Sequence, residues 1–209
     1  MALTLIGRSS SHFTRMARIF AHELGVELEM RVLTDIGSME EADYGGNPGM
    51  KVPALLLEDG PLFGSLPICR ELARRSTRPL KIVWPEDLTE PLLANAQEIT
   101  TEAMATQVLV IKSRLSRLEP KIPLRAKAEA SLRQSVGWLD ARLPRILERL
   151  PPRDRSFLEV GLFCLGTHLD FRETMPLADA PRLQAFCASF GERASAAQTP
   201  YAFDRSQDR

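Results

Sequence analysis

Ser9, Ser10, Ser11 and His12 stand directly before a run of helical spacing in GRSSSHFTRMAR, residues 7–18. One hydroxyl is enough to cap a helix, so the surplus is open to other uses: loop filler, a phosphate nest, or a hydroxyl facing a ligand's sulfur. The last has a clear physical basis. A thiol of ordinary pKa, about 8.5, is only a few per cent ionised at neutral pH. A hydroxyl donor and the positive end of a helix both favour the thiolate. Lowering that pKa by about two units corresponds to roughly 2.7 kcal/mol of differential stabilisation. His12 beside Ser11 suggests a base and a nucleophile, but neighbouring residues at a helix start do not face one another, and the sequence offers no evident orienting carboxylate. His12 therefore reads as a surface or helix-start histidine.

Other chemistries find less support. Cys69, Cys164 and Cys187 are odd in number and form no C-x-x-C pair, which argues against a disulfide framework or a dithiol redox centre. Cys69 and Cys164 lie in apolar helical contexts and read as packing residues. Three histidines without ligand-like spacing predict no metal site. The 27 basic residues balance the 27 acidic ones, which leaves no electrostatic footprint for nucleic acid. The start MALTLIGRSS lacks the pattern of a secretory signal, and the longest apolar stretch, VGLFCLG, is too short to span a bilayer. The expectation is a soluble, cytoplasmic protein with a small-molecule or protein partner.

The elements that would position the serines follow from periodicity. ALTLIG reads as a buried strand. Apolar residues at 13, 16, 17, 20 and 24 then mark one stripe of a helix, stopped by Gly25. ELEMRV alternates as a half-buried strand. DIGSMEEADYGGNPG is an irregular connection with room for one helical turn, and VPALLL and PLF flank EDG as a hairpin. SLPICRELARR begins on a capping residue, with a proline tolerated in the first turn. The order is β-α-β, a connection, then β-β-α. Beyond a linker near residue 78 that carries two prolines and a tryptophan, helical spacing dominates. Helices are predicted over about 88–118, over 122–150 as one helix or a kinked pair with Pro144 as the break, through FLEVGLFCLGTHLDF as a central helix, and from PRLQAFCASFGER. Ser156 and Glu159 have the spacing of a capping box. Asp170 and Arg172 read as a structural polar pair.

Several segments carry a family resemblance. GNPGMKVPALLLEDGPLFGSLPICREL resembles the second half of the glutathione transferase N-terminal domain, with Asn47, Pro48, Lys51, Val52, Pro53, Leu55, Asp59, Gly60 and Ser65 in the pattern's places. Gly7, Ser11, Phe13 and Arg15 match the serine-type start of bacterial members, and LGTHLDFRE and ERASAAQTP are similar to their C-terminal segments. The resemblance implies a thioredoxin-like α/β domain over 1–78 and an all-helical domain over 87–209, usually in a homodimer. It implies glutathione as co-substrate, its thiol conjugated to a small electrophile, as in detoxification.

Residue by residue, Ser11 corresponds to the hydroxyl that meets the glutathione sulfur, with Ser9 and Ser10 as close competitors. Val52-Pro53 resembles the family's cis-proline, which presents the Val52 backbone to the cysteinyl part; an ordinary trans proline at a strand start is the alternative. Lys51 matches a residue at the glycine end, or is a solvated lysine. Ser65, at a helix start suited to anions, matches the hydroxyl that receives the γ-glutamyl carboxylate. Two positions depart from the pattern. His12 replaces a proline, and Gly64 stands where members carry Glu, Asp or Gln to hold the ammonium. These departures leave open a second class of function, a binding or regulatory relative without useful catalysis. A disulfide reductase shares the plan but would need a cysteine at the helix start.

Overall fold

In the computed structural model, which describes residues 3–204, Leu3–Gly7 forms strand β1, with Leu5 and Ile6 buried. Strand β2 (Leu28–Val32) lies parallel on one side of it. Strand β3 (Ala54–Leu56) lies antiparallel on the other and continues the sheet to β4 (Leu62–Phe63), in the order β2-β1-β3-β4. Parallel neighbours require a crossover. Helix α1 (His12–Leu24) supplies it and buries Met16, Ala17, Ile19, Phe20 and Leu24 before the left-handed Gly25 ends it. Helix α2 (Ser65–Arg75) packs against α1 and buries Ile68, Cys69 and Leu72. The predicted turn in the connection is a 3-10 turn at Glu41–Tyr44. This α/β unit has the expected thioredoxin-like order.

The chain separates into two compact units. The first runs to Leu80 and takes back the chain from Glu192 onward, and the second spans Lys81–Gly191. Within the first unit a short helix, α7 (Ala194–Ala197), packs against α1. Buried hydroxyls of this segment are satisfied: Ser195 donates to Glu23 at 2.7 Å, and Thr199, just past α7, donates to the Ser195 carbonyl at 2.8 Å.

The second unit is built on α3 (Pro91–Leu115) and α4 (Pro123–Arg149), which pack together, and on α5 (Phe157–Phe171) and α6 (Pro181–Gly191). Apolar nearly all round, α5 is central as expected and packs on both α3 and α6. Phe163 of α5 stacks on Phe190 of α6 at 4.7 Å. A two-residue parallel pair, β5 (Ile82–Val83) with β6 (Arg155–Ser156), has too little length to leave a periodic signal.

Two local expectations are corrected. Helix α4 runs through Pro144 without ending. A proline there removes one ladder bond, but the flanking Leu139, Leu143 and Ile146 are at most 2% exposed, so packing holds the helix together. Ser156 stands at the N-cap position of α5, but its hydroxyl makes no cap bond and no capping box forms; Glu159 is instead engaged by Arg153 through two bonds of 2.6 and 2.8 Å. Asp170 accepts the Leu177 N–H at 2.9 Å, which ties the end of α5 to the following turn. Asp140 supplies an unforeseen cap: its carboxylate accepts the first N–H groups of α6, from Arg182 at 2.8 Å and Leu183 at 2.9 Å.

One carboxylate of this unit links stability to pH. Burial pushes the Glu129 carboxyl up. Hydrogen bonds and charge from Arg125 and Arg114, at 3.1 and 3.4 Å, outweigh this and hold it below its ordinary value of 4.5. A depressed folded-state value contributes stability that is present above the unfolded value and lost as pH falls through the folded one. Glu129→Gln should therefore cost stability at neutral pH and weaken the acid dependence below about pH 4.5, as read by urea titrations across pH. Parallel pH profiles for variant and wild type would remove Glu129 from the acid response.

Candidate functional site

The three serines have three different roles. Ser11 is the N-cap of α1, in extended backbone geometry, and its hydroxyl oxygen accepts the Thr14 N–H at 3.2 Å. Accepting uses a lone pair and leaves the hydroxyl hydrogen available to a ligand. Ser10 accepts from the Arg8 guanidinium at 3.4 Å. The Ser9 N–H donates to the Asp204 carboxylate at 2.8 Å. Arg8 also donates to the Leu33 and Thr34 carbonyls at 2.7 and 3.0 Å, which ties the loop to the exit of β2. The helix cap thus falls on Ser11, the serine that the resemblance also singles out.

Gly7 allows α1 to begin this close to the sheet. A Cβ there would lie 2.4 Å from the Thr14 methyl carbon, so a larger residue would have to displace the Thr14 side chain. His12 departs from the surface reading: it is fully buried, and its ring meets Phe13 edge-on at 4.5 Å. With Phe13 against it and the chain entering α1 at this position, the ring turns inward where a proline would have stiffened the loop.

The sheet register gathers the remaining positions. Ile6 pairs with Ala54 across β1 and β3, so the exit of β1 adjoins the entry of β3. The Val52-Pro53 bond is cis, as the resemblance implied, and immediately precedes β3. Gly64, which caps α2, donates its N–H to the Pro53 carbonyl at 3.1 Å. The Ser11 loop, Val52-Pro53 and the start of α2 therefore share one end of the sheet.

At that end α2 offers an anion site of restricted size. Ser65 is buried, and the first turn carries no acidic side chain. The third position is Pro67, which lacks an N–H, and the Ile68 N–H is already bonded to the Gly64 carbonyl at 3.3 Å. The Ser65 and Leu66 amides remain, enough for a carboxylate. Lys51 is exposed; its carbonyl accepts from the Asn47 side chain at 2.8 Å, which fixes the backbone and leaves the ammonium in solvent. Gly64 has φ 83° and ψ 157°, a region almost exclusive to glycine, although a Cβ there would meet nothing nearer than Pro67 at 3.9 Å. Space is available; the backbone resists.

A depression of roughly 430 Å³ beside β2 and the 3-10 turn is lined by residues including Leu33, Thr34, Asp35 and Asp43, and by none of the expected site residues. All three cysteines are buried and outside disulfides, in line with the packing reading of Cys69 and Cys164. Among the described residues, no group of three or more His, Cys, Asp or Glu side chains could hold a metal ion, and no helix is long and apolar enough to cross a membrane. The contribution of Asp204 was not legible in the sequence, because it lies 195 residues from its partner and belongs to no recognisable motif.

Comparison with known proteins gives the fold a context. Residues 10–75 match the family model for the glutathione S-transferase N-terminal domain. No curated protein matches the chain. A solved glutathione S-transferase from Methylobacillus flagellatus KT, with glutathione bound, is similar at 18% identity over 96% of this chain and all of its own, with a TM-score of 0.75. One from Methylobacterium radiotolerans JCM 2831, in complex with glutathione sulfonate, is 20% identical over 100% and 99% of the two chains, at 0.73. A glutathione transferase family member from Pseudomonas fluorescens Pf-5, with bound glutathione, is 22% identical over 96% and 100%, at 0.72.

Proposed function

From a chain whose residues 10–75 match the glutathione S-transferase N-terminal domain family, and whose whole length has the glutathione transferase fold, we propose a glutathione transferase that uses the glutathione thiol against a small electrophile. The observation that carries the proposal is the Ser11 hydroxyl, held at the start of α1 with its hydrogen still available, at the same end of the sheet as Val52-Pro53 and Ser65. Glutathione would lie with its cysteinyl backbone along Val52, its γ-glutamyl carboxylate on Ser65 and the Leu66 amide, and its sulfur at Ser11. Lys51 would meet the glycine end.

Ser11 would donate to the sulfur, and the dipole of α1 would add to the stabilisation of the thiolate. The enzyme would then attack with a nucleophile already ionised near neutral pH. The electrophile would be small, and the working form a cytoplasmic homodimer. Gly64 favours one other reading. With no side-chain carboxylate for the ammonium of glutathione, the same fold could serve as a binding or regulatory protein with little turnover.

Glutathione that binds only the folded state must raise the melting temperature with concentration, and at about 100 times Kd the stabilisation is about 2.7 kcal/mol. A concentration-dependent upward shift is the expected result. An unchanged melting temperature at several millimolar glutathione, with the fold intact, would contradict the transferase reading.

A further inference from the structure

The chain from Glu192 onward does not simply trail away from the first unit. Buried Ser195 and Thr199 anchor it, Ala196 accepts from the Arg15 guanidinium at 3.2 Å, and the same guanidinium lies over the Tyr201 ring at 4.3 Å. Arg15 is itself only 6% exposed. The tail is thus clamped at three successive points along α1: Glu23 near the helix end, Arg15 in its first turn, and Ser9 just before it. The last clamp is the bond from the Ser9 N–H to Asp204.

Asp204 acts on the helix start in two ways. Its carboxylate accepts an amide two residues before Ser11, in a loop otherwise held by Arg8 and by the Ser11 cap. It also brings a negative charge near the Arg18 guanidinium. Arg18, lowered by burial and by Arg15, is drawn back up by Asp204. The loop contact is the part that bears on Ser11.

We propose that Asp204 is a positioning residue, which holds the Ser9–Ser11 loop so that the Ser11 hydroxyl faces the ligand sulfur. The geometry is that of a strap: residues 195–204 run along α1 to its start, and Asp204 closes the loop that carries the proposed thiolate ligand. The inference rests on the transferase reading for its consequence in chemistry, but the contact itself does not depend on that reading.

The consequence for ionisation follows from hydrogen-bond geometry. A donor that wanders loses the angle and distance that make it effective toward a charged acceptor. Releasing the loop should raise the pKa of the bound thiol, whereas a role confined to global stability would lower the melting temperature and leave that pKa in place.

The full-length protein, with Asp204→Ala and Asp204→Asn, provides the test. Asparagine keeps a side-chain oxygen that can accept the Ser9 N–H; alanine does not. Amide exchange at Ser9, followed by NMR without glutathione, should speed up roughly five- to tenfold in Asp204→Ala and stay near wild type in Asp204→Asn, the loss of one net hydrogen bond of about 1–1.4 kcal/mol. With glutathione, the acidic limb of the turnover profile should move to higher pH in the alanine variant and return in the asparagine variant. If Ser9 exchange is unchanged in Asp204→Ala, the strap is wrong. If exchange rises but the acidic limb stays in place in an active protein, the positioning role is overturned. Should wild type fail to bind glutathione, the transferase reading falls and with it the proposed consequence, while the exchange data still report on the contact.

Discussion

Ser11→Ala is expected to reduce turnover of glutathione with a generic aryl halide by tenfold to a hundredfold near neutral pH, with the deficit largest at the acid end of the profile. The range follows from the stabilisation at stake. A well-formed hydrogen bond to a charged group contributes about 1.5–3 kcal/mol, and each 1.4 kcal/mol is a factor of about ten. At high pH, where the free thiol ionises unaided, the variant should approach wild type. Because Ser11 also caps α1 through Thr14, alanine should cost about 1 kcal/mol of stability as well. Ser11→Asp separates the two roles: a carboxylate can accept the Thr14 N–H, but it offers no donor and repels a thiolate. It should fold like wild type and turn over less than the alanine variant. Equal activity in wild type and Ser11→Ala would remove Ser11 as the sulfur ligand, and the same change at Ser10 would then be the next comparison.

Substitution at Gly64 should produce the largest effect outside the thiol site. Its φ of 83° with ψ of 157° lies where a residue bearing a side chain is strained by about 1–3 kcal/mol. No steric conflict adds to that strain, because a Cβ at this position would have its nearest neighbour 3.9 Å away. Gly64→Ala should therefore lower stability by an amount in that range, as read by denaturant midpoint. Gly64→Glu should carry the same backbone cost and also offer a carboxylate to the ammonium of glutathione. Compared with the alanine variant, it should bind glutathione roughly three- to thirtyfold more tightly, a charge-assisted bond discounted for ordering and solvent. Equal affinities of the alanine and glutamate variants would mean that the γ-glutamyl end does not lie against α2.

The parts of this molecule legible in the sequence are those with local causes. The stripe through Met16, Phe20 and Leu24 fixes α1, and Gly25 ends it. The uniformly apolar α5 is identifiable as central because a helix with no polar face must be enclosed. Ser11 is legible as a cap by its position before the stripe, and Val52-Pro53 through the motif around it. The features that escape depend on contacts between distant segments. Whether Pro144 breaks a helix is decided by the packing of Leu139, Leu143 and Ile146. Glu159 has two possible partners, its own helix start or Arg153, and spacing cannot choose between them. His12 has the same composition-level signal buried or exposed. The return of the tail to Ser9 leaves no periodic trace at all.

The central claim is that the start of α1 ionises the thiol of bound glutathione. It is tested most directly by the ultraviolet absorbance of the glutathione thiolate in the complex, titrated across pH against the protein alone. The account predicts a bound-thiol pKa near about 6.5, about two units below the ordinary value, and its return toward about 8.5 in Ser11→Ala. A saturated wild-type complex whose thiol still titrates at about 8.5 would contradict it.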